Sequence, residues 1–535
     1  MADPWILGLS ASHNGAAALL RGDEVVAAVQ EERLSRLKRD RTWAGRATLA
    51  TRCVLDSGGI GADELDVVAA CIQGHPQAPE HALAANAQLA LAAHGTESLV
   101  LSHHRGHAAH AWVSSGFSEA AVLVVDGLGS PLAGGQWEST SLFRGAGEDL
   151  AALEQHGVPD GAWLIAQGPG MPRFRSLGGM YSAVASLLFG DPMEAGKVMG
   201  LAPLGAPRIP PDDWFQIDDG RLRFLDTVPA RFTEPLRWPH PEAADLAASV
   251  QAALEVALLH LARHARTITG ARHLAFSGGV ALNCVANQRV MELPWVDDLF
   301  VQPAAGDSGI PLGAAWLVSA QRGAAPRPMT TALLGPDADE DAIAETLDVT
   351  GVASVEVDDP AEEAARRVAD GQVVGWYQGQ AEFGPRALGA RSILASATDP
   401  GMTDRINATI KFREPFRPFC PSVALDAVHD HFDGRGAESP YMTVTWGVKD
   451  PAALPAVTAV DGTARLQTVD AARNAPFARY LDALERRTGV PVTLNTSFNV
   501  DGQPIVNTPR QAIATFFGSG LDALVLGHRV LEKRR

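Results

Sequence analysis

Short apolar segments that run into glycine loops and restart as helices recur along this chain, and they restrict it to the α/β class. His273–Phe276 leads into Ser277-Gly278-Gly279, and Leu299–Gln302 leads into Gly306-Asp307-Ser308-Gly309. The strand pattern Ala120–Asp126 ends in the same way, at Asp126-Gly127-Leu128-Gly129-Ser130. The last two loops in chain order each precede a helix, where unpaired N–H groups and the helix dipole favour anions. One such loop is a common turn. Three in one region, with Gly278 and Gly279 among the candidate contacts, point to a nucleotide.

The N-terminal segment reads as a meander. Trp5–Ser10 is a strand, Ser12-His13-Asn14-Gly15 a turn, Ala16–Leu20 the return strand, and Glu24–Glu31 follows Gly22-Asp23. Further strands are expected at Asp66–Ile72 and Glu97–Leu101, and apolar spacing of three and four predicts one long helix over Glu242–Thr269. The stretch Gln321–Pro336, rich in Pro, Ala and Gly, reads as a linker. Beyond it the pattern restarts with helix Glu340–Leu347, strand Ser354–Val357, helix Pro360–Asp370 and strand Val373–Gln378. Strand Val492–Asn495, helix Pro509–Gly518 and strand Ala523–Leu526 close a second α/β region. No internal repeat stands out.

Composition narrows the function classes. At 535 residues, 46% hydrophobic and 20% charged, the chain is long enough for two or three globular domains. Its net charge of −18 repels polyphosphate backbones, so nucleic acid is not expected as the main partner. Cys53, Cys71, Cys284 and Cys420 form no C-x-x-C pair, which excludes a disulfide framework or thiolate zinc site and suits a reducing compartment. The N-terminus lacks a basic start followed by an apolar stretch, and apolar runs such as Leu89–Ala93 fall short of the roughly 20 residues that span a bilayer. A cytoplasmic protein with no membrane segment is expected.

The densest chemical signal is Ser102-His103-His104-Arg105-Gly106-His107-Ala108-Ala109-His110. On a helix His103 and His107 share a face and suit one metal, while His104 and His110 point elsewhere. Carboxylates should complete the shell. Asp126, at a strand end before glycines, and Asp307, in its own glycine loop, are the candidates, although each alone also reads as a cap or turn residue. Lys197 suits a phosphate, or an ordinary charge pair with Glu194 three positions away; Asn283 suits a nucleoside. In the C-terminal half Arg386, Arg391, Lys411, Arg413 and Arg417 fall within residues 386–417, interleaved with Pro385, Phe416, Pro418 and Phe419. Guanidinium forks and a lysine between apolar walls suit a triphosphate-type anion better than a solvated basic face.

These motifs resemble the NodU/CmcH-type O-carbamoyltransferase family nearly end to end. They include S-x-x-H-N-G, Glu31-Glu32-Arg33, H-H-x-x-H, V-D-G-x-G-S, Gly196–Ala202, Ser277–Asn283 and Gly306–Ala315, then Glu382–Ile393, Arg413–Pro421 and Leu494–Asn499. The resemblance implies an ASKHA (actin/kinase-like) domain over residues 1–335 and a YrdC-like α/β domain over residues 336–535. It implies that the second domain makes carbamoyl-adenylate from carbamoyl phosphate and ATP with magnesium, and that the first passes the carbamoyl group to a hydroxyl. By motif, the ligands of an Fe(II)-type divalent metal would be His103, His107, Asp126 and Asp307, and His13 would stand at the transfer site. Arg386 and Lys411 would be catalytic, and Lys411-Phe412-Arg413 with Ser497-Phe498-Asn499 resembles the nucleotide-binding K-x-R and S-x-N pair. Family members carbamoylate antibiotics and Nod-factor sugars, so the expected acceptor is a small secondary metabolite.

Taken without the family, His13 is either a general base or a turn residue bonding its own backbone. Three other readings compete. A metal-dependent hydrolase is opposed by His104 standing where H-E-x-x-H needs Glu. A tRNA threonylcarbamoyl-type transferase is opposed by the −18 charge. A nucleotide-sensing module leaves the second basic cleft without a role. The acceptor pocket is expected in Gly134–Pro172 and Ala206–Pro241, where Trp137, Trp163, Trp214 and Trp238 would form apolar walls or pack loops.

Overall fold

The tight turn at Ser12–Gly15 sets the first sheet in the computed structural model, which describes residues 3–40, 48–73, 96–325, 327–337 and 339–533. Ser12 Oγ accepts the Asn14 amide at 3.1 Å. That reversal joins β1 (Trp5–Ala11) to β2 (Ala16–Arg21) as an antiparallel pair. The apolar run Leu89–Ala93 lies outside the described residues.

Chain contacts group into two units. The first comprises Met1–Val25, Arg41–Thr48 and Gly61–Met329; the second comprises Val26–Asp40, Leu49–Ile60 and Thr330–Arg535. The division after Met329 falls within the Pro/Ala/Gly-rich stretch, but two N-terminal segments group with the C-terminal residues, which a linear reading of the chain does not foresee.

In the first unit β4 (Val67–Ile72) lies parallel to β1, and β5 (Glu97–Leu101) lies parallel to β4. Glu24 and Val25 open β3 (Glu24–Gln30). The expected extension of that strand to Glu31 does not form. Glu31 instead starts a one-turn helix, Glu31–Ser35, and its carboxylate accepts the amides of Leu49 and Ala50 at 2.9 and 2.8 Å. A second sheet holds β6 (Glu119–Val125), β7 (Gln136–Ala146), β8 (Asp149–Pro159), β9 (His273–Ser277) and β10 (Asp298–Val301). Its order is β10-β9-β6-β7-β8, with β7 and β8 antiparallel and β9 and β10 parallel. The run β7-β6-β9-β10 repeats the order and directions of β2-β1-β4-β5, so the unit holds a topological repeat that the sequence hides.

Helix α1 (His103–Ser115) follows β5, α2 (Glu242–Thr269) precedes β9, and α3 (Ile310–Gln321) follows β10. Glycine lets α1 and α3 meet: a Cβ on Gly313 would stand 2.0 Å from the Gly106 carbonyl oxygen. Helix α2 is long and apolar enough to cross a membrane by length and composition. Its apolar residues are interleaved with polar ones, and Leu246, Val250, Leu254, Leu258 and Leu261 are buried within the unit.

The second unit is built on eight strands. They are β11 (Val355–Glu356), β12 (Val374–Tyr377), β13 (Arg391–Ser396), β14 (Cys420–Ala424), β15 (Gln467–Val469), β16 (Val492–Ser497), β17 (Ala523–Leu526) and β18 (Arg529–Glu532), in the order β11-β18-β17-β12-β13-β16-β14-β15. Side chains alternate between two covered faces, as a strand requires. Trp376, Leu394 and Val525 join the core with α4 (Pro360–Ala369) and α5 (Ala471–Thr488). Tyr377, Ile393 and Leu524 face the opposite core, with Ile513 and Phe516 of α6 (Pro509–Phe517).

Candidate functional site

Helix α1 starts where Ser102 Oγ caps the Arg105 amide at 3.1 Å, and the His103 amide donates to Ser130 Oγ at 2.9 Å. This start aims His103 and His107 at two strand ends. Asp126 follows β6, and Asp307 stands in the short turn between β10 and α3. His103 Nε2 lies 3.3 Å from Asp126 Oδ2 and 3.3 Å from Asp307 Oδ1; His107 Nε2 lies 3.5 Å from each. The four ligand atoms fall within 4.8 Å of one another, and all four residues are buried. Asp126 is oriented through Oδ1, which accepts the amides of Gly127 at 2.8 Å and Gly279 at 3.2 Å.

Two imidazoles and two carboxylates at this spacing suit a divalent metal ion in their donor chemistry. Burial opposes charge on His103, but Asp307 and Asp126 outweigh it and lift the imidazole to about 10. Burial likewise opposes charge on Asp307, yet His103 and His13 hold its carboxyl well below the usual range. His104 and His110 do point elsewhere. His104 Nδ1 meets Ser141 Oγ at 2.7 Å, and burial lowers it to about 4; burial and His107 hold His110 well below the ordinary histidine value.

His13 stands beside this cluster. Its Nδ1 lies 3.3 Å from Asp307 Oδ2 and 3.3 Å from Gln73 Oε1, while Gln73 Nε2 donates to the Leu128 carbonyl at 2.8 Å. Both groups facing Nδ1 are acceptors, so that nitrogen carries a hydrogen.

Other candidates in this unit do different work. The Gly278 amide donates to Ala305 O at 2.9 Å and the Gly279 amide to Asp126, so these two N–H groups hold the cluster together instead of facing a phosphate. Asn283, expected at a nucleoside, caps the helix Cys284–Met291 through the Ala286 amide at 3.0 Å and donates to Gln251 Oε1 at 2.8 Å. Lys197 lies 3.6 Å from Glu194 and over the Phe189 ring. Trp214 is fully buried and stacks on Phe174, whereas Trp163 packs on Gly127 beside Asp126.

Sequence reasoning missed Glu138. It is buried, and it accepts Ser102 Oγ at 2.5 Å and the amides of Ser130 and His104 at 2.9 and 3.1 Å. It thereby anchors the start of α1.

The second unit gathers a separate cluster. Lys411 ends a short helical segment, Asn407–Lys411, and its side chain is buried. Its Nζ donates to Ser497 O, to Ser497 Oγ at 3.2 Å, to Asn499 O at 3.0 Å and to Asn499 Oδ1 at 2.7 Å. Burial, reinforced by Arg413 and Arg417, holds the Lys411 ammonium well below the usual lysine value. Arg413 lies over Phe419 and donates to Asn407 Oδ1 at 3.2 Å; Arg417 lies 3.7 Å from Glu414. Arg386 is half-buried on the loop between β12 and β13. Lys411, Arg413 and Arg417 disfavour one another's charge, which a bound polyanion would relieve. Arg391 takes no part. It is fully buried, donates to the carbonyls of Gln378, Ala390 and Gly379, and stacks on Tyr377.

The sequence model of the carbamoyltransferase N-terminus matches residues 80–216 and 224–316, and that of the carbamoyltransferase C-terminus matches residues 365–533. The protein is therefore a two-unit α/β enzyme of the transferase class. More narrowly, the chain belongs to the carbamoyltransferase family. It is 37% identical to nodulation protein NolNO of Sinorhizobium fredii, covering 98% of this chain and 79% of that protein. It is 38% identical to nodulation protein NolO of Bradyrhizobium diazoefficiens, covering 81% and 79%. Among solved structures, T. kodakarensis HypF aligns at 16% identity and a TM-score of 0.41, over 60% of this chain and 48% of that one.

Proposed function

We propose that this carbamoyltransferase acts in two steps on ATP, carbamoyl phosphate and a small-molecule alcohol. Residues 336–535 form the YrdC-like part and make carbamoyl-adenylate; residues 1–335 form the ASKHA-like part and transfer the carbamoyl group. The convergence of Lys411 with Ser497 and Asn499 carries this reading, because it assembles the K-x-R and S-x-N motif pair around one buried ammonium. The repeated strand order of the first unit supports the actin/kinase-like assignment.

In the first step water splits carbamoyl phosphate into carbamate and phosphate. A carbamate oxygen then attacks the α-phosphorus of magnesium-bound ATP, and pyrophosphate leaves. Lys411, Arg386, Arg413 and Arg417 hold the phosphates and screen their charge. Adenylation matters because carbamate is a poor electrophile, and AMP is a good leaving group.

In the second step the acceptor hydroxyl gives its proton to His13 Nε2 while its oxygen attacks the carbamoyl carbon, and AMP departs. His103, His107, Asp126 and Asp307 would hold an Fe(II)-type ion. When bound, it would supply Lewis-acid charge stabilisation to the transfer. Trp163, packed on the Asp126–Gly127 turn, would wall the acceptor side. The acceptor is a hydroxyl-bearing secondary metabolite such as an antibiotic or a modified sugar.

The test is pyrophosphate release by purified enzyme. Release that requires both ATP and carbamoyl phosphate supports the scheme. Release from ATP alone, or none under any combination, overturns it.

A further inference from the structure

Three backbone amides converge on one oxygen of Glu382, in the loop between β12 and β13. Glu382 Oε1 accepts the amide of Leu388 at 2.8 Å, that of Arg391 at 3.1 Å and that of Ala390 at 3.3 Å. The side chain is buried, and the stretch it draws together carries Arg386. We propose that Glu382 is a positioning residue whose carboxylate holds this loop in shape and so presents Arg386 to the anion site at Lys411.

The loop and the Lys411 cluster share one end of the sheet, where β13 begins and β16 ends. Ser392 pairs with Ser497 across these strands, and the Phe498 amide donates to the Arg391 carbonyl at 3.0 Å. Asn495 Nδ2 donates to the Ala387 carbonyl at 3.2 Å. Ser497 and Asn499 are the residues that Lys411 Nζ reaches. The carbonyls of Leu388 and Gly389 are held in turn by Gln467 Nε2 at 3.0 Å and Trp376 Nε1 at 2.9 Å. Side chains from the sheet thus hold the loop's carbonyls, while Glu382 serves its amides. Hydrogen bonds to an ionised acceptor are roughly twice as strong as neutral ones, and removing this acceptor would strand buried N–H groups.

A second demand on the same side chain comes from Arg33, whose Nη2 donates to the Gly384 carbonyl at 2.8 Å. Burial holds the Arg33 guanidinium below its usual value, and the charge of Glu382 offsets part of that effect. Glu382 Oε2, however, makes no hydrogen bond among the described residues. Amide acceptance through Oε1 is therefore the role the geometry assigns. The inference rests on the adenylation reading of Arg386, but the loop can be observed without turnover.

The test uses full-length protein and two conservative variants that separate reach from charge. Glu382→Gln keeps the length and an acceptor oxygen; Glu382→Asp keeps the charge but falls one methylene short of the amides. Hydrogen–deuterium exchange of the peptide covering residues 383–391 should be faster in Glu382→Asp and parental in Glu382→Gln. Pyrophosphate release should fall by about 10²-fold in Glu382→Asp, as for a misplacement of about 1 Å, and stay near the parent in Glu382→Gln. Adding Glu382→Asp to Arg386→Ala should cost little further, because nothing is left to position. Parental exchange and release in Glu382→Asp overturn the proposal. So does an impaired Glu382→Gln beside a parental Glu382→Asp, which would make charge toward Arg33 the role, and so does full additivity in the double variant. If Arg386→Ala alone leaves release unchanged while Glu382→Asp loosens the loop, the anchoring role stands and the adenylation reading of Arg386 fails.

Discussion

Lys411 and Asn499, 88 positions apart in the chain, meet with Nζ 2.7 Å from Oδ1. The same ammonium reaches the Ser497 hydroxyl at 3.2 Å, so a single cation joins the segment before β14 to the end of β16.

Lys411→Ala should therefore abolish carbamoyl-adenylate formation, cutting pyrophosphate release by at least ~100-fold. Transfer from supplied carbamoyl-adenylate should persist. Comparing the two assays on one protein preparation checks the division of labour; loss of both activities in a folded variant would refute it.

His103→Ala or His107→Ala should empty the metal cluster. Each removes one of four converging ligands, so affinity should fall by orders of magnitude. Elemental analysis should show little bound metal and transfer should disappear, with pyrophosphate release retained. Full occupancy in both variants would sink the site assignment.

His13→Asn should slow carbamoyl transfer by about 10²–10⁴-fold, the usual cost of a lost general base. Adenylate formation should be unchanged. Near-parental transfer would mean that His13 only shapes its turn.

Gly278→Ala should lower unfolding free energy by about 2–4 kcal/mol, measured by chemical denaturation. Gly278 has φ +95°, and an added Cβ would lie 2.2 Å from the Val125 carbonyl oxygen. The strain falls one residue from Asp126, so metal content should drop as well.

Cys53 should resist alkylation at neutral pH. Burial, helped by Asp56 and Glu31, pushes its thiol up to about 11. Below that value it stays protonated, and at pH 8 only about one molecule in a thousand carries the reactive thiolate. Intact-mass analysis after iodoacetamide treatment should find Cys53 unmodified at pH 8, with reaction rising as pH approaches 11.

The convergence of the two histidines and two aspartates is legible because helical spacing brings His103 and His107 to one face, and glycines mark the strand ends that carry Asp126 and Asp307. Glu138 is not, since one acid on a long hairpin strand looks like any solvent-facing residue until its partners are known. Arg391 misled for the opposite reason. It sits among the cations in sequence, yet its strand position beside Tyr377 turns it inward to backbone carbonyls. The repeat in the first unit is invisible in the sequence because the two halves share strand order but not residues. Glu31 opens a helix although the apolar run before it ends without a turn signal, so the strand's end is not marked in the sequence.

The three-part make-up of the second unit bears on how the protein is made. Arg33 donates to the Gly384 carbonyl at 2.8 Å across 351 positions, and Arg36 to the Ile505 carbonyl at 2.7 Å across 469. During synthesis the segment around residue 33 leaves the ribosome long before its partners exist. Its native contacts must wait for nearly the whole chain, an arrangement of high contact order that slows folding and leaves early segments exposed. A gene cut at the linker would separate these partners for good, so expressing residues 336–535 alone would produce a piece lacking part of its own unit.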